Sequence, residues 1–302
     1  MSLVQLTAAA ERKPSWLRVR LTTPPRFQEV RRLVADLNLN TVCEEARCPN
    51  IYECWGQHGT ATFMILGDTC TRSCGFCAVH TGKPAPGVDA SEPAHVAEAV
   101  LAMDLQHVVI TSVDRDDLDD GGAGHFADVI QAIRKLNPKT AVEVLTPDFR
   151  GSASSLDTVL EASPEVFSHN METVPSLYRA ARPGSNYAQS LGLLREASAR
   201  QRRVEYEGRV KTGLMLGIGE ERVELDQTIK DIADAGAQIL TLGQYLQPTR
   251  KHLPVHRWVH PDEFSELREM ALDLGFAHCE SGPLVRSSYH AHEHVANLAP
   301  AG

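Results

Sequence analysis

Several things are missing from this 302-residue sequence. No stretch approaches the ~20 consecutive apolar residues of a bilayer-spanning helix, so a membrane protein of that kind is not expected. The opening MSLVQLTAAAERKPSW has a short apolar run and no basic start, unlike a secretory signal. It also lacks the Arg- and Ser-rich amphipathic look of a transit peptide, and the expected compartment is the cytoplasm. Low-complexity runs are absent. Positive charge is in deficit: 30 Lys and Arg against 39 Asp and Glu give −9, which argues against nucleic acid as the main partner. An even cysteine count is lacking too. There are seven, six of them between Cys43 and Cys77, in a long chain with no export signal. A secreted disulfide scaffold is therefore not expected, and clustered thiolates in a reducing compartment point to metal.

What is present is a globular composition, 42% hydrophobic, on a chain long enough to bury a large core. From residue 57 onward, short apolar or β-branched runs alternate with helical patterns. The runs 60–66, 107–113, 141–146, 165–170, 210–216 and 238–243 read as buried strands. Between them, Phe126, Val129, Ile130 and Ile133 share one helical face, Ser91 and Pro93 mark a helix start, and Gly236 and Gly275 mark helix ends. Six βα repeats imply parallel strands with right-handed crossovers. The expected fold is α/β, a partial (β/α)6 barrel over residues 57–275. An N-terminal extension (1–56) and a C-terminal tail (276–302) flank it. An open doubly wound sheet is the alternative.

The chain expected to form the first strand runs straight into CTRSCGFC, where Cys70, Cys74 and Cys77 are spaced C-x3-C-x2-C. Loops after strands build the active face of parallel barrels. A [4Fe–4S] cube ordinarily takes four thiolates, so three leave one iron open, and an open metal position is where a substrate or cosubstrate binds. A zinc knuckle completed by His80 is the competing reading. Upstream, CEEARCPNIYEC supplies a second triad, Cys43, Cys48 and Cys54, spaced C-x4-C-x5-C. Cys279 is one candidate for its fourth ligand, although a buried free cysteine is commonly a small hydrophobe. His290, His292 and His294 alternate in the tail and read as an exposed polar segment. Arg12, Lys13, Arg18, Arg20, Arg26, Arg31 and Arg32 crowd the start, either as a solvated segment or as a docking face for an acidic partner.

The C-x3-C-x2-C loop with Phe76 before its last cysteine resembles the signature of radical S-adenosylmethionine (radical SAM) enzymes. With the upstream triad and the terminal RSSY (286–289), the chain from KPSWLR to RSSYHA resembles the lipoyl synthase family. That resemblance implies two [4Fe–4S] clusters. One, on Cys70, Cys74 and Cys77, binds SAM. The auxiliary one, on Cys43, Cys48 and Cys54, takes Ser288 as its fourth ligand, with Ser287 the neighbouring alternative. The implied reaction inserts two sulfurs, at C6 and C8 of a protein-bound octanoyl-lysine. The implied partners are lipoyl carrier domains (the glycine cleavage H protein, E2 subunits of 2-oxoacid dehydrogenases), a ferredoxin or flavodoxin reductant, and an iron–sulfur carrier that rebuilds the cluster. A monomer is expected.

Contacts to SAM are expected from Thr111, Ser112 and Asp114 after the second strand and from Asn170 and Glu172 after the fourth. Arg182 is expected as a carboxylate clamp, and Gly217 and Gly219 as an adenine contact after the fifth strand. The competing functions are a methylthiotransferase and, from a different class, a two-cluster electron-transfer protein.

Overall fold

The computed structural model describes residues 12–18, 25–45, 48–55, 60–203, 206–289 and 291. Arg20, His290, His292 and His294 lie outside them. Seven parallel strands form one sheet in chain order: β1 (Ala61–Ile65), β2 (His107–Ser112), β3 (Ala141–Leu145), β4 (Val166–Ser168), β5 (Arg209–Leu216), β6 (Ile239–Gln244) and β7 (His278–Gly282). Helices cover its outer side: α1 (Pro25–Asp36), α2 (Glu92–Ala102), α3 (Ala123–Leu136), α4 (Ala153–Glu161), α5 (Tyr187–Arg202), α6 (Arg222–Ala235) and α7 (Pro261–Asp273). This is the expected partial barrel, with one strand more than the sequence suggested. The added strand, β7, lies within what reads as tail. Its HCESG has no continuous apolar run, and only pairing with β6 (Cys279 opposite Leu240) makes it a strand.

The barrel is open. Asn40–Thr41 pairs antiparallel to the outer edge of β1, with Thr41 opposite Phe63. The strands form for the reason their sequences suggest: every residue of β1 is buried, so both faces must be apolar. In α3, Phe126, Val129, Ile130 and Ile133 are fully buried against the sheet, each worth roughly 1.5–3 kcal/mol if its whole side chain leaves water. Gly236 ends α6 at φ +90°, where a side chain would be strained. Ser91 does precede α2, but its hydroxyl turns back to Asp89 (2.6 Å) and caps nothing.

The barrel interior is not wholly apolar. Lys211 on β5 donates to Glu143 on β3 at 2.7 Å, both fully buried, with His107 of β2 3.6 Å from the same carboxylate. Among the described residues no helix is long and apolar enough to cross a membrane.

Candidate active site: two cysteine triads on one cavity

The loop after β1 is closed by a short ladder, Thr69–Cys70 pairing with His80–Thr81. Four other strand ends pin it. Thr71 donates through its backbone N–H (3.0 Å) and hydroxyl (2.9 Å) to Asp114 O, after β2. Gly75 N–H donates to Ala181 O beyond β4 (2.8 Å), and Leu253 N–H beyond β6 donates to Gly75 O (2.8 Å). A Cβ on Gly75 would sit 2.8 Å from Ala180 O, so the residue between Cys74 and Phe76 must be glycine. Phe76 packs against the small cluster of Ile218, Tyr245 and Val255, which gives the aromatic of the motif an anchoring role.

Arg72 supplies the strongest tie, and the sequence reading passed over it. Its guanidinium makes two bonds to Asp116 (2.7 and 2.8 Å) and two to Asp148 after β3 (2.7 and 3.0 Å), with Asp114 at 3.4 Å. Burial opposes its charge, but the bonds to Asp116 and Asp148 outweigh that and hold its pKa above the ordinary value. Burial likewise works against Asp148, yet Arg72 and the Ser185 hydroxyl (2.6 Å) keep its carboxyl well below the usual range. A lone arginine between two cysteines, facing the acidic run DRDDLDD, was the available signal.

The cysteines open onto a cavity of about 460 Å³, in the range that encloses a cofactor-sized ligand. Thr111, Ser112, Asp114, Asn170, Glu172 and Arg182 all line it. Asp114 N–H donates to Cys70 Sγ (3.3 Å). Ser112 Oγ and Asn170 Oδ1 are buried there without a hydrogen-bond partner. Glu172 sits at φ +67° with its carboxyl pKa raised by burial, and it accepts from Asn170 Nδ2 (3.1 Å). Arg182 donates to Asn170 O (2.7 Å), so part of its guanidinium already fixes the β4 loop.

Gly217 and Gly219 are not among the residues that line the large cavity. The backbone amides of Gly217, Ile218 and Gly219 donate to the Glu220 carboxylate at 2.7, 3.0 and 3.1 Å. The glycine at 217 answers to crowding instead: a Cβ would lie 2.3 Å from Gln244 Nε2 and 2.4 Å from Arg257 O.

The second triad is delivered by the edge strand: Cys43 comes two residues after Thr41. Cys48 N–H donates to Cys43 O and Thr60 N–H to Cys54 O, folding the segment against β1. Cys43, Cys48 and Cys54 share a smaller cavity with Thr62, His107, Arg286, Ser288 and Tyr289. Ser288 lines both cavities, as do Cys43 and Cys48; Ser287 lines the large one but is not among the residues of the small one. Cys279 is buried in β7 and lines neither. His80 is exposed on its short strand, apart from the large cavity's lining.

The donor sets fit iron–sulfur clusters. Burial pushes the thiols of Cys43, Cys54 and Cys74 up to about 12 and that of Cys77 to about 11. Bound metal reverses that, because a coordinating thiol is deprotonated. Among the described residues no three His, Cys, Asp or Glu side chains gather closely enough for one metal ion. A cube asks for wider spacing, since each thiolate takes a separate iron. Beside Cys43, the Trp55 indole N–H is buried with no oxygen or nitrogen acceptor, aimed where sulfur would receive it.

A partial parallel barrel with three cysteines after its first strand defines a radical SAM enzyme. The profile of the Radical SAM superfamily matches residues 64–232. Solved structures share the fold at low identity. Methylornithine synthase (PylB) has a TM-score of 0.54 and 13% identity, covering 85% of this chain and 82% of its own. Escherichia coli coproporphyrinogen III oxidase (HemN) has 0.51 and 11%, covering 72% and 53%. The profile for the N-terminal domain of lipoyl synthase matches residues 2–48. Lipoyl synthase of Oceanobacillus iheyensis is 52% identical over 288 residues, 95% of this chain and 90% of that protein. Lipoyl synthase of Hahella chejuensis is 53% identical over 291 residues, 96% and 86%. The chain belongs to the lipoyl synthase family.

Proposed function

We propose that Cys70, Cys74 and Cys77 hold a [4Fe–4S] cluster with one open iron for SAM, and that Cys43, Cys48, Cys54 and Ser288 hold an auxiliary [4Fe–4S] cluster. The reaction is then sulfur insertion at C6 and C8 of an octanoyl chain carried on a lysine of a partner protein. One observation carries this reading: Cys70, Cys74 and Cys77 line the large cavity together with Cys43 and Cys48, and Ser288 lines both that cavity and the smaller one that Cys43, Cys48 and Cys54 share. When bound, SAM and the clusters supply the radical and sulfur chemistry that unactivated C–H bonds require.

The residues of the chain do the positioning. Ser112 Oγ and Asn170 Oδ1, unpartnered in the cavity, are placed to hydrogen-bond bound SAM, with Glu172 beside them. Arg182 presents positive charge toward Cys74 and Glu172, where a carboxylate would be met. Met64, Leu145, Leu214 and Met215 line the same space and suit an alkyl chain. Both target carbons must come within reach of one radical source and one sulfur source, and a cavity lined by Cys70, Cys74 and Cys77 together with Cys43, Cys48 and Ser288 suits that demand. Ser288 would offer such a cluster a harder donor than thiolate, poorly matched to iron–sulfur sites and therefore easier to displace.

Octanoylated glycine cleavage H protein or an E2 subunit is the proposed carrier, a ferredoxin or flavodoxin the reductant, an iron–sulfur carrier the means of rebuilding, and the cytoplasm the compartment. The basic start is a candidate docking face for an acidic carrier surface: Arg12, Lys13, Arg18, Arg26, Arg31 and Arg32 are exposed, although Arg26 also donates to Met103 O (2.8 Å) and Arg31 stands 3.8 Å from Glu44.

The test is anaerobic reconstitution with iron and sulfide, then SAM, dithionite and an octanoyl-lysine peptide, followed by mass spectrometry. The expected products are a peptide carrying two added sulfurs and 5′-deoxyadenosine. Nucleoside without a sulfurated peptide would show the radical site intact and the substrate wrong. Neither product, with both clusters present, would overturn the reading.

A further inference from the structure

The small cavity is lined by a cation, Arg286, that no carboxylate among the described residues answers. Arg286 lines both cavities, and its guanidinium donates to two backbone carbonyls, Gln244 O (3.2 Å) and Val285 O (2.7 Å). Among the described residues it meets no carboxylate. Burial lowers its pKa, and Cys48 is the group that acts in the other direction. Lys13, from the N-terminal segment, lies close enough that burial and then Arg286 lower its own pKa. Glu53 stands beside Cys54, but Tyr289 engages it (3.4 Å). On Cys43 the fully buried Trp55 directs an N–H with no oxygen or nitrogen acceptor.

A buried guanidinium with no carboxylate partner, set beside three thiols, is unfavourable unless something strongly negative sits next to it. A [4Fe–4S] cluster with three thiolates and a serine oxygen carries net negative charge. Reducing it by one electron adds more. Positive potential and N–H donors at the sulfurs favour the more negative state, and they are the protein's means of raising a cluster's reduction potential.

We infer that Arg286 and Trp55 are positioning residues for the auxiliary cluster, which they hold in place and make easier to reduce than its ligand set alone would. Arg286 acts by its charge, from the wall shared with the substrate cavity. Trp55 acts by its N–H on Cys43. The inference rests on the reading that Cys43, Cys48 and Cys54 bind a cluster.

The experiment isolates that cluster. In a full-length C70A/C74A/C77A background, R286Q, R286K and W55F are reconstituted. Iron and sulfide are counted, and the midpoint potential is measured by dithionite titration with mediator dyes and electron paramagnetic resonance. The expected result is a more negative midpoint in R286Q and in W55F, with R286K close to the parent. Loss of cluster in R286Q but not in R286K is the same result in stronger form. Unchanged midpoints in both R286Q and W55F overturn the inference while leaving the cluster assignment standing. A parent background that takes up no cluster instead overturns the assignment of the site, and the inference with it.

Discussion

Asn50 donates its side-chain amide to the backbone carbonyl of Leu284 at 2.8 Å, joining residues 234 positions apart. Asn50 lies between Cys48 and Cys54, and Leu284 lies four residues before Ser288. This bond therefore fastens the segment bearing the three proposed sulfur ligands, Cys43, Cys48 and Cys54, to the segment bearing the proposed oxygen one, Ser288.

Replacing Asn50 with alanine leaves the Leu284 carbonyl unanswered in a site where Asn50 is 3% exposed. A loss of about 1–3 kcal/mol is expected. Because the bond bridges the two halves of the auxiliary site, iron content should fall from two clusters toward one while the SAM-binding cluster is kept. Iron and sulfide analysis of N50A and of N50A/C43A checks this: equal iron loss in both is the expected outcome.

Arg72 to lysine is not a mild change. The guanidinium forks onto two carboxylates, and an ammonium cannot serve both in that geometry. Asp148 is fully buried, and removing one partner from such a pair typically costs about 3–5 kcal/mol. R72A should unfold at markedly lower urea and load the SAM-binding cluster poorly. R72K should fall between it and the wild type. A wild-type midpoint for R72A would show that the loop is held by its backbone bonds alone.

Ser288 to cysteine would give the proposed auxiliary site four thiolates. Reconstitution should be at least as complete as in the wild type, while sulfurated product falls at least tenfold, since the harder oxygen donor no longer leaves. Full product formation by S288C would end the argument that this ligand is chosen to be labile.

His169 lowers stability in acid. It is fully buried between Thr146 O (2.9 Å) and Ser190 Oγ (3.0 Å), and burial, then the Arg182 charge, push its pKa down to about 4. Between about pH 6.5 and 4 the unfolded chain binds a proton that the folded one does not. Stability is therefore undiminished above that window and is lost as pH falls through it, by about 2 kcal/mol between pH 7 and 5. Urea unfolding at the two pH values should show a smaller difference in H169Q than in the wild type.

Much of this was legible in the chain. The alternation of apolar runs and helical faces gave β1 to β6, because a strand buried on both sides must be apolar along its length. The spacing of Cys70, Cys74 and Cys77 after the first of them is what suggests an open-iron site, because ligand count and strand-end placement are both local in sequence. Tertiary structure decided the rest. β7 is polar in sequence and exists through pairing with β6. Arg72 became the anchor of the cysteine loop only when Asp116 and Asp148 arrived from two other strand ends. The amides of Gly217 and Gly219 meet the Glu220 carboxylate, a partner that the glycine pattern alone does not name. The chain alone leaves Ser288 and Ser287 side by side; in the fold Ser288 lines both cavities and Ser287 only the large one, which is why Ser288 is the proposed ligand. Local pattern fixes what a residue is able to do; which partner it meets depends on a chain closure that joins Asn50 to Leu284, and no spacing rule reaches that far.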